Sequence, residues 1–152
     1  MDGNTVMLWI INGQLEANAF YRFNVPMNKK ICVFYDTLSN VGEYGYNYET
    51  GKTSHTFTKL APDCITDMFN RNKEGVFRGK IYDIRIYDKY NLIKKFIPCC
   101  TTTIVTDVNG KQCSAGTAGL YDTVEGKFYT NQGSGTFGYE TEDGTYVEPT
   151  NN

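Results

Sequence analysis

The chain has 152 residues, enough for one domain with its own hydrophobic core and short for two. Its 15 basic and 17 acidic side chains leave a formal net charge of −2, so there is no strong positive field to hold nucleic acid or an anionic membrane. Aromatic residues make up 14% of the chain, mostly Tyr and Phe, and together with 15 glycines they favour many short strands over long helices.

The opening stretch, MDGNTVMLWIINGQ, carries an acid at Asp2 and no basic cluster. Its apolar run, residues 6–11, is too short for a signal core or a membrane span, so no secretory signal is expected. The run reads as a strand, and Asn12-Gly13 after it suits the left-handed angles of a tight hairpin turn. Alternation follows. Leu15, Ala17, Ala19, Tyr21, Phe23 and Val25 share one parity, and Glu16, Asn18, Arg22 and Asn24 share the other, with Phe20 the exception. This predicts one long strand with a wet face, stopped by Pro26.

Residues 31–35 are apolar on both faces and are expected in the middle of a sheet or sandwich. Residues 36–43 are polar and read as a loop, after which Tyr44, Tyr46 and Tyr48 alternate with Gly45 and Asn47. A turn around Gly51 leads to a half-polar strand over 53–60. Residues 61–74 are irregular, with room for a helical turn near 65–69.

The strand signal returns from Val76. In GKIYDIRIYD, Tyr82, Ile84 and Ile86 share a face and Asp83 and Arg85 take the other. A turn at 89–91 and a return strand, LIKKFI, stopped by Pro98, complete a hairpin. Residues 101–119 are loop-like. The last predicted hairpin joins 119–122 to 127–130 through a turn at Glu125-Gly126, and the polar, acidic residues 139–152 form a tail that frays or waits for a partner. The pattern predicts an all-β fold of roughly nine strands in two antiparallel sheets, with few or no helices. A single sandwich domain is expected over residues 1–138.

Five cysteines, Cys32, Cys64, Cys99, Cys100 and Cys113, leave at least one thiol unpaired, and most are read as reduced. Cys32, in the apolar run KKICVFY, reads as a small buried hydrophobe. Zinc sites favour C-x2-C pairs, which are absent; neighbouring Cys99 and Cys100 on a strand face opposite sides. A Cys100–Cys113 disulfide closing the Thr-rich loop stays open as an alternative.

Residues 78–137 carry a resemblance. They read RGKIYDIRIYDKYNLIKKFIPCC, a variable loop, then AGLYDTVEGKFYTNQGSGTF. This is similar to the C-terminal part of laminin-G-like, concanavalin-A-like jelly-roll domains of bacterial surface and tailed-phage proteins. The matching pieces are residues 79–88, 92–98, 119–122 and 128–131, with Gly133, Gly135 and Phe137; residues 1–75 match only in strand rhythm. The resemblance implies a two-sheet jelly-roll sandwich. It does not imply one function, because such sandwiches host lectins, glycanases, adhesion modules and virion parts. It also implies further strands ahead of the first one read here. Either these are condensed or a sheet edge is open, and an open edge would be covered by a partner or a second copy. GLYD and FYTN read as turn and hairpin chemistry, with Asp and Asn side chains bonding nearby backbone.

Catalytic signatures are sparse. The single histidine, His55, has no nucleophile motif beside it and reads as structural or surface. Sandwich glycanases place two acids a few residues apart on one strand, and no such pair occurs, so no enzyme is expected. No cofactor is expected; Asp36, Asn40 and Asp107 could offer oxygens to calcium, but their spacing matches no calcium loop. Tyr44, Tyr46 and Tyr48 are the candidate ligand contacts, since strand neighbours two apart share a face and aromatic rings cover sugars or anchor interfaces; filling the core is their alternative use.

The expected function is a non-enzymatic adhesion or carbohydrate-binding module of a phage particle or bacterial surface. The alternative is a purely structural virion subunit, a decoration or fibre protein. Expected partners are a glycan or neighbouring subunits in an oligomer, with no nucleic acid and no membrane span.

Overall fold

The computed structural model describes residues 8–11, 13–17, 21–36, 41–47, 51–58, 79–133, 137–141 and 146–147. The expected helical turn near 65–69 and Cys64 lie outside the described residues. Among the described residues there is no helix. The regular structure of the described residues consists of fourteen strands, most of them short, and every strand pair among them is antiparallel. The chain gathers into two compact units, residues 1–66 and 67–152.

The first unit holds two three-stranded sheets, β1-β2-β3 and β4-β5-β6. β1 (Leu8–Ile11) and β2 (Gln14–Ala17) form the hairpin expected at Asn12-Gly13, with Ile11 opposite Gln14 and Gly13 at φ 74°. The long strand expected from Leu15 to Val25 is instead two strands, β2 and β3 (Tyr21–Asn24). They pair Ala17 with Tyr21 and Leu15 with Phe23. Partners in this register share parity, so a period-two pattern passes through the reversal unchanged. Alternation alone does not separate a long strand from a hairpin of this kind.

β4 (Val33–Asp36), β5 (Val41–Tyr46) and β6 (Thr53–Thr58) form the second sheet. β4 lies at its edge, not in the middle, and its residues are half-buried. Residues 36 and 41–43 of the expected loop belong to strands, with Asp36 opposite Glu43, and residues 37–40 lie outside the described residues. Cys32 is exposed, contrary to its expected burial. It precedes β4, and its carbonyl accepts a hydrogen bond from Asn47 N at 2.7 Å. Leu15, Val25 and Tyr44 are the buried centre of this unit, with Ile31, Val33, Tyr35 and Tyr46 packed against them. Gly45 allows β5 and β6 to approach closely: a Cβ there would collide with Thr53 O and sit 2.8 Å from Ser54 Cα.

In the second unit a four-stranded sheet runs β12-β11-β8-β7. β7 (Ile84–Asp88) and β8 (Asn91–Cys100) form the expected hairpin, with Asp88 opposite Asn91 and Lys89 at φ 55° in the two-residue turn. Pro98 does not stop β8. Its strand continues to Cys100, pairing Pro98 with Leu120 of β11 (Ala118–Asp122). The β7 ladder reaches only Phe96, so at Pro98 the strand has one strand neighbour among the described residues, an edge-like position where proline is tolerated. β11 and β12 (Lys127–Tyr129) form the last expected hairpin, closed by Gly126 at φ 69°.

The loop-like stretch after β8 contains a small hairpin, β9 (Val105–Thr106) with β10 (Gln112–Cys113). The expected frayed tail pairs in part, β13 (Tyr139–Glu140) with β14 (Tyr146–Val147), and Glu140 forms an ion pair with Lys80.

Candidate functional site

Strand parity sorts the Tyr series. Tyr44 faces the core of the first unit and has no exposed surface. Its ring meets His55 edge-on, with centroids 5.9 Å apart. Tyr44 therefore fills the core, and no ring face is left for a sugar. Tyr46 shares its face and is half-buried against the same cluster; Tyr48 lies outside the described residues. Desolvation pushes the neighbouring Tyr35 phenol up to about 12. On the other face of β5, Glu43 accepts from Lys52 Nζ and Ser54 Oγ, and these bonds hold its carboxyl below the usual range.

Two buried carboxylates in the second unit look at first like catalytic acids. Both are committed to the backbone. Asp122, at the end of β11, is fully buried, and its Oδ1 accepts from Lys95 N at 3.1 Å and Val124 N at 3.0 Å. Oδ2 lies 3.3 Å from Lys94 Nζ, an ion-pair contact without hydrogen-bond geometry. Burial pushes this carboxyl up, but the two N–H groups and Lys94 together outweigh it and hold it below the ordinary value. Lys94 also meets Glu125 at 2.6 Å and Tyr129 Oη at 3.3 Å, and the Glu125 contact is the main cause of its raised pKa.

Asp107 is the second. Its Oδ1 accepts from Asn109 N and Lys111 N, each at 2.9 Å, and Oδ2 accepts from Thr130 Oγ1 at 2.7 Å. The Thr130 bond leads the causes that lower its pKa. Asp107 thus ties the β9–β10 turn to the residue after β12. Val108 N donates to Phe128 O at 2.8 Å in the same seam. GLYD and FYTN accordingly supply structural bonds through Asp122 and Thr130. All three of these Asp107 bonds are made within the protein. Among the described residues no cluster of three or more His, Cys, Asp or Glu gathers in a metal-holding arrangement.

The seam borders the concave feature that the sequence did not reveal. An open groove of about 580 Å³ lies where β8 ends, between Cys99–Cys100, the Thr101–Thr103 turn, Val108, Tyr121 and Phe128. Gly119 lets the Phe128 ring lie against β11, since a Cβ there would stand 2.6 Å from that ring and 2.5 Å from Tyr129 O. Thr102, Thr103, Tyr121 and Lys127 are exposed around it, and Val108 is an exposed apolar side chain in its lining. Cys99, Cys100 and Cys113 carry free thiols, so the alternative Cys100–Cys113 disulfide is not formed. Burial, with Cys100 beside it, pushes the Cys99 thiol up and keeps it a poor nucleophile. The groove offers hydroxyls, an aromatic ring and aliphatic surface. Its residues come from β8, β11, β12 and the 101–108 loop, and that convergence leaves no local sequence signal.

No family model, curated protein or solved structure matches the chain. No helix among the described residues is long and apolar enough to cross a membrane.

Proposed function

We propose that the chain is a non-enzymatic structural subunit of a phage particle or bacterial surface, a jelly-roll sandwich that assembles with neighbouring proteins. The resemblance over residues 78–137 supports the sandwich and its setting. The observation that carries the assembly reading is the open groove, with exposed Val108 and Tyr121 in its lining and a carboxylate, Asp107, already bonded within the protein. Apolar surface of this kind on a small protein marks contact with another protein. Sedimentation of the purified chain tests it. Growth in mass with concentration, or incorporation into a particle, is expected; a strict monomer that joins no particle refutes it.

A carbohydrate-binding adhesion module is the second reading, favoured by the threonine hydroxyls and the exposed Tyr121 ring of the same groove. A glycan array decides between them. Specific binding lost in Tyr121→Ala but kept in Tyr46→Ala would put the sugar in the groove, and binding lost in Tyr46→Ala would return it to the Tyr series. Release of reducing sugar would overturn the non-enzymatic assignment.

A further inference from the structure

The β9–β10 hairpin turns through Asp107, Val108, Asn109, Gly110 and Lys111, and its tip holds an Asn-Gly pair. Asparagine is among the chemically labile side chains, and both residues of the pair are exposed to water. The Asn109 side-chain amide makes no hydrogen bond to any described residue, so it is free to swing toward the backbone. Gly110 sits at φ 82° with open space where a Cβ would be, so nothing crowds its nitrogen. Its N–H donates to Asp107 O at 3.0 Å, a single bond at the tip of an exposed turn. Bonds of this kind open locally while the strands stay paired. The chain's other Asn-Gly pair has its asparagine, Asn12, outside the described residues.

We propose that Asn109 is a modification site, where spontaneous deamidation converts the turn to an isoaspartyl form and releases it from Asp107. The reaction needs only water. The Gly110 backbone nitrogen gives up its proton to hydroxide and bonds to Asn109 Cγ; the side-chain nitrogen leaves as ammonia, and a cyclic imide remains. Water then opens the imide at either carbonyl. The product is aspartate or, where the main chain now runs through Cβ and Cγ, isoaspartate. The net change is amide plus water to acid plus ammonia, with nothing oxidised or reduced. Asp107 Oδ1 accepts from Asn109 N and Lys111 N, on both sides of the reacting bond, each at 2.9 Å. An extra main-chain carbon between those donors breaks the spacing that lets one oxygen hold both, and the new carboxylate repels the buried Asp107 carboxylate. The Oδ2 bond to Thr130 does not involve the turn backbone, so the hairpin stays attached while its tip loosens. Asp107 and Val108 also line the groove, and that wall loosens with the tip, whatever the groove binds.

Peptide mapping of the full chain, aged at neutral and at mildly alkaline pH, tests this, with the urea-unfolded chain as reference. The peptide holding Asn109 is expected to gain about 1 Da and to become a substrate for an isoaspartyl methyltransferase. Conversion is expected to be faster at the higher pH, because the Gly110 nitrogen must lose its proton. Opening one neutral turn bond is expected to slow the folded chain about tenfold relative to the unfolded one. Amide exchange at Lys111 is expected to rise in the aged wild type and to stay unchanged in Asn109→Ser aged beside it. Position 109 is exposed and has no positive φ, so serine fits there. A folded chain that keeps its Asn109 while the unfolded chain loses it overturns the proposal, as does a converted turn with unchanged exchange at Lys111.

Discussion

Replacing Asp122 with alanine removes the acceptor that two backbone N–H groups share and strips Lys94 of one of its two anionic partners. Val124 is exposed, so its N–H returns to water; Lys95 is half-buried and its N–H recovers less. A hydrogen bond to a charged group contributes about 1.5–3 kcal/mol, and the Lys95 bond plus part of the Val124 bond gives an expected loss of about 2–4 kcal/mol. Asp122→Asn keeps an acceptor oxygen for both N–H groups and forfeits the ion pair, about 1 kcal/mol. Urea unfolding followed by far-ultraviolet circular dichroism reads both values. The acid limb adds a sign. The folded carboxyl lies below its ordinary value of 3.8, so its stabilisation is complete above that pH and disappears as pH falls through the folded value. Wild type should therefore lose more stability than Asp122→Ala between pH 5 and pH 2. An alanine variant within about 0.5 kcal/mol of wild type, or one with the same acid limb, would refute the account of Asp122 as a buried staple.

Asp107→Ala should free the β9–β10 turn from Thr130 and cost about 1–3 kcal/mol, with faster amide exchange at Asn109 and Lys111; unchanged exchange there contradicts the tether. Gly119→Ala forces a methyl into Tyr129 O and the Phe128 ring and should destabilise by about 1–3 kcal/mol, read as a drop in urea midpoint. Tyr44→Ala should cost about 3–5 kcal/mol by opening a cavity in the first unit, whereas a ligand-contact tyrosine would show a loss of binding with little loss of stability.

Turn chemistry was the most legible layer of this sequence. Gly13, Lys89-Tyr90 and Gly126 close hairpins where local residue preference places them, and the strand-forming composition is matched by described residues without a helix. The groove was not legible, since its walls come from Cys99, Val108, Tyr121 and Phe128 on separate elements.

Local conformation and period are properties of neighbouring residues, so the chain alone determined that it would be strands joined by glycine- and asparagine-rich turns. Pairing and burial depend on which distant residues meet, and those only the tertiary structure decided. It paired β2 with β3 where the alternation suggested one strand, carried β8 through Pro98 opposite Leu120, buried Tyr44 while leaving Cys32 exposed, and brought Asp107 to Thr130, 23 positions away. A repeat of two survives a chain reversal that preserves parity, and a side chain's exposure is fixed by what packs over it, so neither could be read one residue at a time.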